Sequence, residues 1–198
     1  MERMTKHGGA RRVLIAATFL IVAATLQGED ADFRQLRWGM TIEEVKEIEG
    51  APDYETPEAL LYDTRVGGVD AHMIMYFEDG GFYQAVYAFQ EDRVNYNNYL
   101  RDFEKIGRLL RQVYGEPSGS DNHHDLRGSL YRDDRDYWGL AVATGQLAIL
   151  SGWETDRTRI IHSIDGENYE VNHRIGYTTT VEDEERERRL REAETEGL

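Results

Sequence analysis

Apolar and polar positions in residues 36–52 follow the pattern of a short amphipathic helix with both ends marked. Three apolar side chains fall on one helical face: Ile42, Val45 and Ile48. Thr41 precedes them and Glu44 lies three residues later, which is the spacing of a capping box. Gly50 and Pro52 then provide the stop, because glycine adopts the left-handed conformation and proline cannot continue a helix. The pattern predicts a helix between Thr41 and Gly50.

A second helix with the same kind of exit is predicted over residues 96–114. Its apolar positions recur at intervals of three and four residues: Tyr96, Tyr99, Leu100, Phe103, Ile106, Leu110, Val113 and Tyr114. Gly115 and Pro117 follow it, as Gly50 and Pro52 follow the first helix. Since strand-like segments come after each helix, the sequence predicts two helix-then-strands units.

Alternating apolar and polar positions predict the strands of the first unit. Residues 59–66 are a candidate strand, and residues 69–77 alternate strictly between the two faces. The segment 78–81, Glu-Asp-Gly-Gly, is a strong hairpin signal, and residues 82–90 form the return strand. The first unit is therefore expected to contain three antiparallel strands packed against a helix.

The second unit is predicted to contain up to five strands separated by turn signals. The candidate strands are residues 126–132, 137–143, 147–153, 159–164 and 169–177. The predicted fold is thus α+β, with one domain over residues 25–180. Its units cover roughly residues 33–92 and 95–180, either with separate sheets or with one continuous curved sheet. Residues 181–198 are almost entirely charged and are expected to form a helical or disordered tail.

The beginning of the chain has the composition of an export signal. Positive charges precede a largely apolar run of fourteen residues, 13–26, and small residues at 22–24 offer a cleavage site. The run is shorter than the about 20 residues that a membrane span needs. We therefore expect residues 1–24 to be a signal peptide, the alternative being an uncleaved anchor, and the mature protein to be periplasmic or secreted. The chain contains no cysteine, so it forms no disulfide and carries no lipid on a cysteine.

The charge of the chain restricts its partners. The formal net charge is −15, and removal of residues 1–24 takes away a net +3 and leaves −18. Nucleic acids and anionic lipid head groups are bound by neutralising their phosphates with Lys and Arg, so an acidic protein of this kind is not expected to bind either. A protein or peptide partner remains compatible with the sequence.

The segment WGMTIEEVKEIEGAP, residues 38–52, resembles the WGM-[ST]-x-E-E-V opening of small exported bacterial proteins of unknown function. More distantly, it resembles the G-M-[ST]-x-x-E-V-x-x-x-x-G-x-P signature of BamE/SmpA-like outer-membrane assembly lipoproteins and of the β-lactamase-inhibitor-like fold. The matching residues are Gly39, Met40, Thr41, Glu44, Val45, Gly50 and Pro52. The resemblance implies a helix followed by an antiparallel sheet, often duplicated, and a non-catalytic role in binding partners. This chain departs from those lipoproteins in lacking the lipid-bearing cysteine and in being nearly twice the length of a single module.

One loop gathers potential metal ligands. His123, His124 and Asp125 follow Asp121, and imidazole with carboxylate suits a divalent cation. The adjacent histidines do not have the spacing of a known zinc motif, so the alternative is a polar surface loop.

His162 and His173 are predicted to lie on one face of a hairpin. If residues 165–168 form the turn, His162 faces Val171 and is a diagonal neighbour of His173. The other residues of that face are mainly apolar, so we expect it to be buried. A buried histidine pair can bind a ligand or respond to acid. The alternative is two core imidazoles that are hydrogen-bonded to backbone groups or tyrosines.

The three tryptophans are candidates for recognition, because Trp offers a large contact area at low entropic cost. They are Trp38, Trp138 and Trp153. Each has an alternative role as a core residue.

The sequence favours a non-enzymatic function. It contains no G-x-S-x-G elbow, no phosphate-binding loop and no G-x-G-x-x-G, and no cofactor is predicted. The leading hypothesis is an exported binding or envelope-associated protein that recognises a protein or peptide across its sheet face or through its acidic tail. The alternative is an exported hydrolase or metal-dependent enzyme that uses a histidine cluster.

Overall fold

The computed structural model describes residues 31–118, 131 and 134–180. The helices are α1 (Ile42–Glu49), α2 (Asn97–Tyr114) and α3 (Trp138–Ala143), and a single 3-10 turn (Arg135–Tyr137) leads into α3. The strands are β1 (Tyr54–Thr56), β2 (Ala59–Val66), β3 (Val69–Glu78), β4 (Gly81–Phe89), β5 (Ile149–Glu154), β6 (Thr158–Glu167) and β7 (Glu170–Thr179). Helices and an antiparallel sheet follow one another along the chain, which confirms the predicted α+β class.

The seven strands form one sheet in the order β1-β2-β3-β4-β7-β6-β5. Every pairing is antiparallel. The first run, β1 to β4, and the second run, β5 to β7, meet where β4 pairs with β7. Of the two arrangements that the sequence left open, the chain therefore adopts one continuous sheet.

The first helix is capped as its sequence predicts. The Thr41 side chain accepts a hydrogen bond from the backbone N–H of Glu44, whose carboxylate in turn accepts from the Thr41 N–H at 2.9 Å. These hydrogen bonds also lower the pKa of Glu44. At the other end, Gly50 has φ +90° and its N–H donates to the carbonyl of Lys46. Hydrogen bonds at both ends of the short helix thus provide partners for terminal backbone groups.

Replacement of Thr41 with Ala is expected to lower the free energy of unfolding by about 1 kcal/mol, because it removes the acceptor for an N-terminal amide. Urea denaturation followed by circular dichroism measures this loss. The Thr41→Ser variant keeps the hydroxyl and is the matched control. An equal loss in the Ser and Ala variants would show that the cap contributes nothing.

The predicted elements of the first unit are largely confirmed. Strand β2 has the predicted bounds, β3 extends one residue further than predicted, and β4 begins and ends one residue earlier than predicted. Asp79 and Gly80 both have positive φ, 49° and 81°, as a tight two-residue hairpin requires. The three-residue strand β1 was not predicted. It is too short to show a periodic pattern.

The predicted strand at residues 137–143 is wrong, since these residues form the end of the 3-10 turn and α3. The segment is almost wholly apolar, and periodicity cannot distinguish a short buried helix from a short buried strand. The Asp134 side chain accepts from the backbone N–H of Asp136 and starts the turn. Gly139 then lets α3 lie directly against the first turn of α2, where its N–H donates to Asn97 Oδ1 at 2.8 Å.

The predicted register of the last hairpin is also wrong. The turn lies at Asn168 and Tyr169, with φ of 53° and 70°, and not at residues 165–168. His162 is consequently opposite Ile175 and not opposite Val171. Gly166, which had indicated a turn, lies inside β6. A Cβ there would come within 2.7 Å of the Val142 carbonyl oxygen, so this glycine permits a close backbone approach.

The sheet has a buried inner face and an open outer face. Alternate residues of the strands point to the inner face, where they pack with side chains from the described helices. The most buried strand residues there, each no more than 1% exposed, are Leu60, Met75, Phe82, Ala85, Ile160, His162, Ile164 and Ile175. Within the described strands, no side chain on the outer face is buried. The molecule is therefore built from two layers, and its core lies between them.

Three predictions lie outside the described residues: the signal peptide at residues 1–24, the metal loop at 123–125 and the charged tail at 181–198. The predicted strand at 126–132 falls there too, except for Tyr131. In the described part of the chain, none of the helices has the length and hydropathy that crossing a bilayer requires.

Candidate functional site: a buried histidine pair beside an arginine-rich cleft

His162 on β6 and His173 on β7 form a hydrogen-bonded pair in the core. Their Nε2 atoms are 2.9 Å apart, and the two residues are 0% and 3% exposed. Phe103 of α2 stacks on the His162 ring at a centroid distance of 4.0 Å, and Phe89 of β4 stacks on His173 at the same distance. The diagonal relation and the burial agree with the sequence prediction, although the register that produces them is different. The partner of each imidazole is the other imidazole, and not a tyrosine or the backbone as the plainer alternative held.

Both histidines are held neutral. Burial, together with the nearby His173 and Arg111, lowers the pKa of His162 to about 2. Burial also lowers the pKa of His173 to about 3. A protonated imidazole would be desolvated in this apolar surrounding, so the charged form is disfavoured. One N–H therefore lies between the two Nε2 atoms, with one ring as donor and the other as acceptor.

A cleft of about 340 Å³ opens beside His162, and we call it the arginine cleft. It lies between α2, the 3-10 turn with the start of α3, the edge strand β5 and its neighbour β6. The side chains that line it are Leu100, Phe103, Glu104, Gly107, Arg108, Arg111, Arg135, Trp138, Ile149, Ser151 and His162. Its floor and walls are mainly apolar, and its charged groups are exposed at the rim.

The rim concentrates positive charge in an acidic protein. Arg108, Arg111 and Arg135 line the cleft together with one carboxylate, Glu104. Arg135 pairs with Glu104 at 2.7 Å and its guanidinium lies 5.0 Å from the Trp138 ring centroid. The partner of Arg111 is Glu116, at 3.3 Å. These ion pairs are exposed to solvent, where such contacts contribute little, so the guanidinium groups can exchange them for a ligand.

The second nitrogen of His162 faces this cleft. Its Nδ1 is buried and has no hydrogen-bond partner among the described residues. The Nδ1 and Cε1 atoms both lie 3.7 Å from the position that a Cβ on Gly107 would occupy, and Arg111 Nη1 lies 3.5 Å from the same position. Because a buried unpaired polar atom costs free energy, its orientation toward a cleft is a sign of a binding site.

The three tryptophans occupy different environments. Trp153 is 3% exposed and donates to the Gly115 carbonyl at 2.9 Å, so it is a core residue and the prediction that it is a recognition residue is wrong. Trp38 is half-buried, packs on Phe82 and donates to Thr158 Oγ1 at 3.0 Å. Trp138 lines the arginine cleft. Of the predicted binding residues, the structure therefore brings His162 together with His173, and His162 and Trp138 line the same cleft.

No metal centre is found within the described ranges. Among residues 31–118, 131 and 134–180, no three His, Asp or Glu side chains are grouped to hold an ion. His123, His124 and Asp125 remain a prediction, as they lie outside these ranges.

The outer face of the sheet is a second candidate surface. One row of cross-strand neighbours runs across it in the order Leu61, Ile74, Val86, Gly176, Ile161 and Gly152. Ile161 is 44% exposed and has a glycine on each side. A Cβ on Gly176 would have no described atom within 4 Å, so packing within the described fold does not require a glycine there. The row thus presents an apolar ridge with a shallow gap on either side of Ile161.

No family model matches this chain, and neither the curated proteins nor the solved structures that were compared with it yield a match. The class of the protein accordingly rests on its fold and its surfaces. It is an α+β protein with helices on one side of an antiparallel sheet and an open face on the other.

The residues predicted from the sequence include His162 and Trp138 but not the arginines or Gly107. These arginines are ordinary surface residues in the sequence. Arg108 and Arg111 are three residues apart on α2, and only the docking of the 3-10 turn against α2 brings Arg135 to them. A signal for Gly107 was present. A glycine in the middle of a strongly amphipathic helix costs about 1 kcal/mol relative to alanine, so it indicates a packing or functional reason.

Proposed function

We propose that this protein is a non-enzymatic binding protein that recognises a protein or peptide partner across the outer face of its sheet. The observation that supports the proposal is the apolar row on a face without buried side chains. Soluble proteins rarely leave a continuous apolar strip open, and such strips mark interaction sites. A partner that presents two large apolar side chains about 10 Å apart fits the gaps on either side of Ile161, because neighbouring strands lie about 4.8 Å apart.

The charges beside the row favour an apolar contact over an ionic one. Arg159 pairs with Glu154 at 3.6 Å, and Arg174 pairs with Asp165 at 3.5 Å. These neighbouring charges offset one another, so they give the face little net field. The partner's affinity would come from burial of the row, and the charged rim would set its orientation.

The proposal includes an export location and a duplicated architecture. In the first half α1 is followed by the four antiparallel strands β1 to β4, in the second half α2 and α3 are followed by the three strands β5 to β7, and the last strands of the halves, β4 and β7, pair with each other. This arrangement supports two units of the kind that BamE/SmpA-like and β-lactamase-inhibitor-like proteins contain. The proposed signal peptide would bring the protein to the periplasm or outside the cell, where a partner in the envelope is accessible.

The test is capture of the partner from envelope extracts of the source organism on the immobilised full chain. We expect the variants Ile161→Asp and Ile74→Asp to reduce capture by at least about tenfold, because a carboxylate in the centre of an apolar contact must be desolvated. Val113→Asp is the matched control. Val113 is 55% exposed on α2, away from the sheet. Equal capture by all variants would contradict binding across the outer face.

A further inference from the structure

We propose that the arginine cleft is a binding site for a small organic carboxylate with an apolar body. The site is independent of the outer face, since it lies on the opposite side of the sheet. Three features support it: the unpaired Nδ1 of His162, the guanidinium groups at the rim, and a glycine that keeps the access open.

His162 supplies a hydrogen-bond donor at the buried end of the cleft. When His173 Nε2–H donates to His162 Nε2, the neutral His162 ring carries its own proton on Nδ1. That N–H then points to the cleft and needs an acceptor. A carboxylate oxygen satisfies it, and binding selects this arrangement of protons over the reverse one. Ser151 is directly opposite His162 in the β5–β6 register and offers a hydroxyl at the same end.

The rim and the walls of the arginine cleft indicate which chemical groups the ligand would carry. The guanidinium of Arg111 lies close to the same Cβ position as His162 Nδ1, so one carboxylate can contact both groups. The fork of N–H groups on arginine matches the two oxygens of a carboxylate. Phe103, Trp138 and Ile149 line the remaining volume and suit an aromatic or aliphatic body. A neutral ligand of the same shape would lack the charge-assisted hydrogen bonds with arginine.

Gly107 places no side chain of its own between the Nδ1 edge of His162 and the cleft. It lies inside α2, and its Cβ would meet only ordinary van der Waals contacts at 3.5–3.7 Å. Alanine therefore fits the fold at this position and favours the helix. The methyl group would, however, stand between the cleft and His162. The Gly107→Ala variant thus separates ligand access from folding, because it is expected to stabilise the fold and to weaken ligand binding.

The experiment is a titration of the full chain with benzoate at pH 7.5, followed by long-range ¹H–¹⁵N NMR of the imidazole nitrogens. We expect benzoate to shift the His162 Nδ1 resonance toward that of a protonated, hydrogen-bonded nitrogen. Benzamide, which has the same shape without the charge, should bind about tenfold more weakly. Equal affinity for the two probes, or no change at His162, would overturn the proposal.

The variants supply the controls. Gly107→Ala is expected to raise the midpoint of thermal unfolding and to weaken benzoate binding at least about tenfold. Arg111→Gln should weaken it to a similar extent. Arg101→Gln, on the same helix but outside the cleft and bonded to Asn98, should leave it unchanged. Unaltered binding by Gly107→Ala and Arg111→Gln would place benzoate elsewhere and overturn the site.

Discussion

Acidification from pH 7 to pH 5 is expected to reduce the free energy of unfolding by about 4 kcal/mol through His162 and His173 alone. In the unfolded chain both imidazoles titrate near their ordinary pKa of 6.5, whereas in the folded protein their pKa values are about 2 and about 3. Each histidine therefore lowers the free energy of unfolding by about 1.4 kcal/mol per pH unit once the pH is below its pKa in the unfolded chain. Since many domains are stable by only about 5–15 kcal/mol, this loss is large.

The sign of the effect follows from which state binds protons. Below pH 6.5 the unfolded chain takes up a proton on each histidine and the folded protein does not, so acid favours unfolding. The stabilisation is complete above pH 6.5 and is lost progressively toward pH 3. No carboxylate contacts the pair among the described residues. The groups packed on it are Phe103 and Phe89, and the nearest charge is the cation Arg111.

Urea denaturation at a series of pH values measures this dependence. In the double variant His162→Leu and His173→Leu, the difference between pH 7 and pH 5 should be smaller by about 4 kcal/mol than in the parent protein. Removal of both hydrogen-bond partners together leaves no unpaired group, so the variant is expected to fold. His72→Gln is the control, since His72 is a partly exposed residue that pairs with Asp63. If the double variant loses as much stability in acid as the parent, the pair is not the cause.

Local signals in the sequence predict much of the fold. The capping box of Thr41 and Glu44 and the turn at Asp79 and Gly80 each depend on a few adjacent residues, and these elements are present as predicted. The amphipathic pattern of α2 is similarly self-contained. The features of the fold that could not be predicted depend on contacts between residues that are far apart in the sequence. Gly166 indicated a turn, but its role is to admit the Val142 carbonyl, which belongs to another element.

The candidate site shows the same limit. The burial of His162 and His173 follows from the apolar residues around them, but their mutual hydrogen bond depends on a register that is set by Asn168 and Tyr169. The predicted turn lies earlier because Asp165-Gly166 is a commoner turn signal than Asn168-Tyr169. The arginine cleft was beyond prediction, since Arg135 reaches it only through a helix that was expected to be a strand.

The arginine cleft and the outer face of the sheet lie on opposite sides of one sheet, and both include residues of β6. His162 points inward from this strand and Ile161 points outward. A ligand in the arginine cleft and a partner on the outer face would therefore contact adjacent residues of one strand. The Ile161→Asp variant separates the two activities, because it is expected to remove partner capture and to retain benzoate binding.

Replacement of Gly139 with Ala is expected to lower the free energy of unfolding by about 3 kcal/mol, since it overpacks the contact between α3 and α2. A Cβ on Gly139 would lie 2.4 Å from the backbone N of Asn97 and 2.4 Å from the carbonyl carbon of Tyr96. These are backbone atoms at the start of a long helix and cannot rotate away. The side chain of Asn97 also bonds to Gly139 N and to the Asp136 carbonyl, so displacement of α3 breaks both hydrogen bonds.

Urea denaturation at pH 7.5 compares this variant with Gly176→Ala. The control also adds one methyl group, but there a Cβ meets no described atom within 4 Å, and its effect should stay within about 0.5 kcal/mol. Gly139→Ala should in addition weaken benzoate binding, because α3 carries Trp138 and the preceding turn carries Arg135. Equal stability of the two variants would mean that α3 is not held closely against α2, and the arginine cleft would then lose one of its walls.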